Sequence, residues 1–260
     1  MPETNSIPIF LINLDRRPDR LAQMTTRLGN LPFTRIPAID GGKLDDLEFK
    51  IPLKKYRISK NEIACLLSHR KVWAKIIDEE IAYACILEDD VYLSNSFPDF
   101  IRNTDWLPIS FDLIKLETFM GRVYLYRKKI TARERYLQEL GVTHAGTAGY
   151  IFSIKGAIKF LNISRRLNMP PDGIFEVENF KNTELEILQL TPALCVQENI
   201  LYPDAPFLSD LENDRSLILS KQHISILFKL WREIKRPFLQ ILNLIRVISK
   251  RLLITRVPFS

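Results

Sequence analysis

The run 83-YACILEDDVYLS-94 sets the hardest condition on any fold of this chain. Tyr83–Leu87 is apolar throughout and reads as a short buried strand, yet it leads straight into Glu88, Asp89 and Asp90. Buried carboxylates repel one another and lose their hydration. The fold must therefore bring the end of this strand to an open edge or supply positive charge there.

The segments before it indicate which edge. Ile7–Leu14 reads as a buried strand, and Pro18 suits the first turn of a helix. Leu21, Met24 and Leu28 are spaced for one buried face of that helix, and Gly29 can stop it. A second strand follows at Phe33–Ile36, then the loop 37-PAIDGG-42 and a charged excursion over 43–58. The tetrapeptide 59-SKNE-62 has the form of a capping box, and Ile63, Leu66, Leu67, Trp73, Ile76 and Ile77 give the stripe of a helix reaching about Glu80. Strand, helix, strand, helix, strand argues for an α/β fold with a mostly parallel central sheet. In such a sheet the C-terminal ends of the strands carry the site, and the three acids fall there. Further strands are predicted at Leu113–Leu116, Val123–Tyr126, Gly149–Ser153 and Glu186–Leu190, with a helix over Lys155–Leu167. The loops 141-GVTHAGTAG-149 and 169-MPPDG-173 are punctuated by Gly and Pro and can carry site residues.

Charge divides the chain in two. The overall +6 is misleading as an average: from Lys221 onward nine basic residues face one acid, Glu233, so this tail carries +8 and residues 1–220 about −2. A nucleic-acid partner for the whole protein is not expected. Ile224, Leu227, Phe228, Trp231 and Ile234, then Phe238, Ile241, Leu242, Ile245 and Ile248 after Pro237, repeat at helical spacing with Lys and Arg between them. The domain division expected is 1–220 for the α/β unit and 221–260 for a basic, amphipathic helical tail. Residues 221–258 suit an anionic membrane surface; packing on protein is the alternative. Cys65, Cys85 and Cys195 are odd in number and widely spaced, so reduced thiols of a cytosolic protein are expected in place of a disulfide framework or structural zinc site. No run reads as a signal peptide or a membrane span.

Acids at a strand's end suit a hard cation such as Mn²⁺ or Mg²⁺, which takes oxygen ligands and tolerates phosphate oxygens beside them. In an extended strand Glu88 and Asp90 share a face and Asp89 points the other way. The turn decides which of Glu88, Asp89 and Asp90 ligates, and Asp90 is favoured. An exposed acidic turn without a metal is the alternative.

The segments 9-IFLINLDRRPDR-20, 35-RIPAIDG-41, 59-SKNEIACLLSHRKVW-73 and 86-ILEDDV-91, followed in order by 146-GTAGYIFSIKGA-157, 170-PPDG-173 and 192-PALCVQ-197, resemble glycosyltransferase family 25. The resemblance runs from residue 7 to about 215. It implies a GT-A type, Rossmann-like nucleotide-sugar fold and transfer of a hexose from a UDP-sugar, with inversion, to a lipid-linked lipooligosaccharide acceptor. Galactose is favoured over glucose. The acid cluster then matches the family's metal motif, and the enzyme works at the inner face of the cytoplasmic membrane. A catalytically silent scaffold and a two-metal phosphohydrolase are the competing classes.

Inversion requires a base for the acceptor hydroxyl, and Asp172 in the PPDG turn is the candidate, with Asp112 and Glu178 as rivals. At the ends of the first strands Asn13, Asp15, Arg16, Ala38 and Asp40 are placed beside the nucleotide. Arg20 either faces outward or forms an ion pair, and Gly41 supplies a turn. Ser68 and His69 follow on the capped helix, His69 as a phosphate or ribose contact or as a core histidine. His144 is the candidate for a further metal ligand.

Overall fold

A computed structural model describes residues 6–44, 59–141, 144, 146–166, 185–202 and 252–260. The chain opens with β1 (Ile9–Asn13), α1 (Pro18–Leu28) and β2 (Phe33–Pro37). Pro18 stands where its missing N–H costs nothing, and Gly29, at φ 58°, turns the chain out of the helix in a conformation that disfavours a Cβ. α2 (Lys60–Asp78) begins with the predicted box: Glu62 N donates to Ser59 Oγ at 3.0 Å and Ser59 N donates to Glu62 Oε2 at 2.7 Å. β3 (Tyr83–Glu88) follows. The excursion predicted at 43–58 lies outside the described residues from 45 onward.

An eight-stranded sheet forms the centre. Its order is β2-β1-β3-β10-β5-β11-β9-β8, where β10 is Gly149–Ser153, β5 Leu113–Lys115, β11 Ile187–Thr191, β9 Arg135–Glu139 and β8 Ile130–Ala132. β1 pairs in parallel with β2 and β3, and β5 with β11; β10 and β9 run against their neighbours. Six strands thus share one direction. The sheet is mostly parallel in orientation but mixed in pairing.

Both faces are covered, which explains why β1, β3 and β10 read as nearly unbroken apolar runs. Ile9, Leu11, Cys85 and Leu87 pack on Met24 and Leu28 of α1. Phe10, Ala84 and Ile86 pack on Val72, Trp73 and Ile76 of α2 and on Phe160 of α3 (Ile154–Arg166). Trp73 meets Phe152 and Phe160 edge-on at 5.5 and 6.1 Å, and its Nε1–H donates to Tyr150 Oη at 2.9 Å. Truncating such a side chain typically costs about 3–5 kcal/mol.

A smaller sheet joins β4 (Val91–Leu93), β12 (Cys195–Gln197) and β6 (Glu117–Thr118). Another pairs β7 (Arg122–Tyr126) with β13 (Leu252–Arg256), so residues 252–256 of the tail expected to be helical form a strand. The segment 252-LLITR-256 is short and partly β-branched, and the helical spacing of apolar residues ends at Ile248. It pairs antiparallel to β7 with Leu252 opposite Tyr126 and buries Leu252 and Val257 against the α/β body. Thr118 Oγ1 donates to Val257 O and Ala193 N to Pro258 O, both at 2.7 Å. The two helices predicted between Ile224 and Ile248 lie outside the described residues.

Candidate active site

β1, β2 and β3 end side by side: Asn13 is opposite Pro37, and Ile12 opposite Glu88. The loops leaving these ends, together with α2, enclose a pocket of about 640 Å³ counting its open mouth. Arg16, Arg20, Ala38, Cys65, Ser68, His69, Glu88, Asp89 and Asp90 line it, with Ile12, Leu14 and Ile39 as apolar wall. This is the place at which α/β folds hold a small-molecule ligand.

Alternation along β3 stops at Glu88. Asp89 and Asp90 form a turn: Asp89 points away from Glu88 as expected, but Asp90 joins Asp89 and does not share a face with Glu88. One cation reaches both: Arg20 Nη1 stands 3.1 Å from Asp89 Oδ1 and 3.8 Å from Asp90 Oδ2. Arg20 is therefore the buried ion-pair residue of α1 and does not face solvent. Its Nε and Nη2 have no hydrogen-bond acceptor among the described residues. Asp89 also accepts from Asn13 Nδ2 at 2.7 Å. Burial raises the Asp89 carboxyl, although Arg20 and Asn13 oppose this. Asp90 has less to oppose it, a long contact from Gln197 Nε2 at 3.5 Å and the more distant Arg20. Burial and then the Glu88 charge push its carboxyl up to about 7.

Glu88 belongs to a different network. It points to the α2 face of the sheet, where His69 Nε2 lies 3.1 Å from its Oε1 and Thr147 Oγ1 donates to the same oxygen. Burial raises this carboxyl, but His69, Thr147 and Arg20 together bring it below its ordinary value. On the other side, His69 Nδ1 is 2.8 Å from Tyr150 Oη. Trp73 Nε1 can only donate, so Tyr150 Oη accepts from it and has its own proton to give His69 Nδ1. His69 Nε2–H then donates to Glu88. His69 is thus a core histidine whose partners are side chains, at the wall of the pocket.

The other expected residues divide. Ser68 donates to Ala64 O and accepts from Ile39 N at 2.8 Å, fastening the loop after β2 to α2. Arg16 pairs with Asp40 at 3.2 Å at the mouth, and Asp40 caps the short 3-10 turn Gly41–Lys43. Gly41 is set by close approach: a Cβ there would lie 2.8 Å from the Asn61 backbone. Asn13 is buried and its polar atoms are engaged by Asp89, Arg17 and Arg35, so it orients the site without lining the pocket. Asp15 is exposed and paired with Arg35, which holds its carboxyl below the usual range; it too is outside the pocket lining. His144 is buried with its ring edge-on to Phe119 at 4.8 Å, and it is not among the residues that line the acid pocket. The structure thus gives no support for it as a ligand, because its ring packs into an aromatic contact. Asp112 opens β5 and accepts from Glu186 N and Lys159 Nζ, both at 2.8 Å, a structural role. Asp172 and Glu178 lie outside the described residues.

Sequence reasoning did not single out Cys65, Tyr150, Thr147 or Gln197, and it missed a buried ion pair behind the site. Lys115 Nζ is 3.2 Å from Glu117 Oε1 and donates to His144 O at 3.1 Å and Gly146 O at 2.7 Å, while Glu117 Oε2 accepts from Ala148 N. Burial lowers the Lys115 pKa and raises that of Glu117. The pair fixes the backbone that presents Thr147 to Glu88. A lysine and a glutamate flanking one leucine inside apolar strands were the available signal.

The model of glycosyltransferase family 25, described as LPS biosynthesis protein, matches residues 6–175. The lipooligosaccharide biosynthesis protein lex-1 of Haemophilus influenzae is 38% identical over 154 residues, 54% of this chain and 50% of that protein. The lacto-N-neotetraose biosynthesis glycosyltransferase LgtE of Neisseria gonorrhoeae is 34% identical over 170 residues, 59% and 60% of the two chains. The lipooligosaccharide biosynthesis protein lic2B of Haemophilus influenzae is 30% identical over 203 residues, 74% of this chain and 76% of its own. The matches thus span half to three quarters of these relatives' lengths. With the family match covering well over half of its residues, the chain belongs to glycosyltransferase family 25.

Proposed function

We propose that the protein transfers a hexose, galactose in the first instance, from a UDP-sugar to a lipooligosaccharide core acceptor, with inversion and on a GT-A type fold. The observation that carries this reading is the charge balance at the strand ends. Three carboxylates converge there, Arg20 sits closer to Asp89 than to Asp90, and Asp90 is left with its carboxyl pushed up to about 7. Such a group fits a hard divalent cation, Mn²⁺ or Mg²⁺, held by Asp90 with Asp89 beside it. When bound, the cation supplies positive charge to the diphosphate of the leaving group. The chain's own residues do the rest of the binding. Arg20 holds Asp89 and Asp90 in one turn. Ala38 and the apolar wall of Ile12, Leu14 and Ile39 offer a surface for a base and ribose, with Arg16 and Asp40 at the mouth. Asp172 is the proposed acceptor base. The names of lex-1, LgtE and lic2B support the acceptor class.

Attachment to an anionic membrane surface through the basic tail from Lys221 is part of the same reading, since the acceptor is lipid-linked. Among the described residues no helix is long and apolar enough to cross a membrane. The test is UDP release from UDP-Gal, UDP-Glc and UDP-GlcNAc, with Mn²⁺ or with EDTA, in the presence of truncated lipooligosaccharide. Metal-dependent release from UDP-Gal is expected. Preference for UDP-Glc would change the sugar, equal rates in EDTA would remove the metal, and no turnover or binding of any UDP-sugar would overturn the function.

A further inference from the structure

Cys65 and His69 stand four residues apart on α2 and so project from one face of it. That face meets the end of β3, and it brings Cys65 Sγ, a His69 ring nitrogen and a Glu88 carboxylate oxygen within 4.8 Å of one another. Two ligands one helical turn apart and a third from a neighbouring element is a donor set that zinc proteins use. We propose that Cys65, His69 and Glu88 bind Zn²⁺, or another thiophilic divalent cation, at the wall of the pocket. This site differs from the one for the hard cation, which is built on Asp90 and Asp89, and it does not rest on the sugar-nucleotide reading.

The geometry is close to what the ion needs. Tetrahedral zinc, with bonds of about 2.0–2.3 Å, separates its ligand atoms by roughly 3.3–3.6 Å. His69 Nε2 and Glu88 Oε1 are already 3.1 Å apart, so the adjustment falls mainly on Cys65, which is half-buried and not in a disulfide. Metal-binding histidines are oriented by a hydrogen bond at their other nitrogen, and Tyr150 Oη occupies that position at 2.8 Å, itself fixed by Trp73. On binding, the Cys65 thiol releases its proton to solvent and the neutral His69 ring changes tautomer by exchange with solvent, losing the proton at Nε2 and gaining one at Nδ1, so that Nε2 coordinates by its lone pair and Nδ1–H donates to Tyr150 Oη. All three ligands line the pocket, which provides the route of entry. Three protein ligands leave one tetrahedral position for water or an oxygen of a bound molecule. Thiolate selects the class of ion, because Mn²⁺ and Mg²⁺ prefer oxygen and Zn²⁺ accepts sulfur.

Titration of the full chain, freed of metal, with Co²⁺ tests this directly, since thiolate coordination gives a charge-transfer band in the near ultraviolet that oxygen ligation lacks. The expected result is one equivalent of Co²⁺ with that band, displaced by Zn²⁺, and loss of the band in Cys65→Ser with zinc affinity at least about 100-fold weaker. Cys85 and Cys195 are wholly buried in the core and do not substitute for it. No band in the wild-type protein overturns the proposal whatever the variants do. A band that persists in a folded Cys65→Ser protein also overturns it. If Cys65→Ser does not fold, Cys65→Ala with the same spectrum and a urea titration gives the same decision.

Discussion

Asp90→Asn in the metal-free enzyme removes a charge that the fold holds at a loss while keeping the side chain's shape and its contact with Gln197. The Asp90 carboxyl is raised from 3.8 to about 7 by burial and by the neighbouring Glu88 charge. A folded-state value above the unfolded one means that the native state holds the extra proton between roughly pH 4 and 7. Stability from this group is therefore highest below that window, falls as pH rises through it and is flat above. Three units at about 1.4 kcal/mol each give up to about 4 kcal/mol at pH 8, on the order of 10 °C in melting temperature for a chain of this size. The substituted amide does not ionise, so the variant should exceed wild type in stability at pH 8 by up to that amount and converge with it below about pH 4. Urea unfolding of both proteins in EDTA at the two pH values measures the difference directly. Adding Mn²⁺ at a hundred times its Kd should then stabilise wild type by about 2.7 kcal/mol and the variant not at all. A variant less stable than wild type at pH 8 would refute the reasoning, because Asp90 would then be a structural acceptor and not a ligand waiting for charge.

Arg20→Met keeps the apolar stem but leaves Asp89 and Asp90 without their shared cation, and should cost about 3–5 kcal/mol in urea unfolding at pH 8, less at pH 5 where Asp90 is protonated. Ser59→Ala removes the side-chain acceptor that meets Glu62 N and should lower stability by about 1 kcal/mol without altering UDP-sugar affinity, read by urea midpoint and calorimetry. Asp172→Asn should lower kcat on the order of 10²–10⁴-fold while donor affinity stays at the wild-type value; an unchanged kcat would assign the base elsewhere.

The elements that local chemistry governs were legible from the sequence. The capping box at Ser59, the proline start and glycine stop of α1, and the strand leading to Glu88 all depend on neighbours within a few residues. What could not be read depends on residues distant in the chain. Arg20 lies on a helix whose outward face looked equally available, and only the packing of α1 beside β3 sets it against Asp89. Alternation does not say where a strand ends, and the turn after Glu88 that sets Asp90 beside Asp89 depends on β4 joining a different sheet. Cys65 stands four residues before His69, but that spacing means little until β3 brings Glu88 to the same face of α2. Lys115 and Glu117 sit inside apolar strands, where a charge reads as a flaw until its partner is known. The last strand escaped notice because its pairing partner, β7, is more than a hundred residues earlier.

That strand also bears on the site. Cys195–Gln197, the strand that carries Gln197 toward Asp90, is entered through Ala193, whose N–H donates to Pro258 O, and it pairs with Thr118, whose hydroxyl donates to Val257 O. Glu198, the next residue, donates its own N–H to Asp90 O. The residues that follow β13 are therefore a buttress under the far wall of the acid turn, and loosening them would be felt at Asp90 as well as at β7.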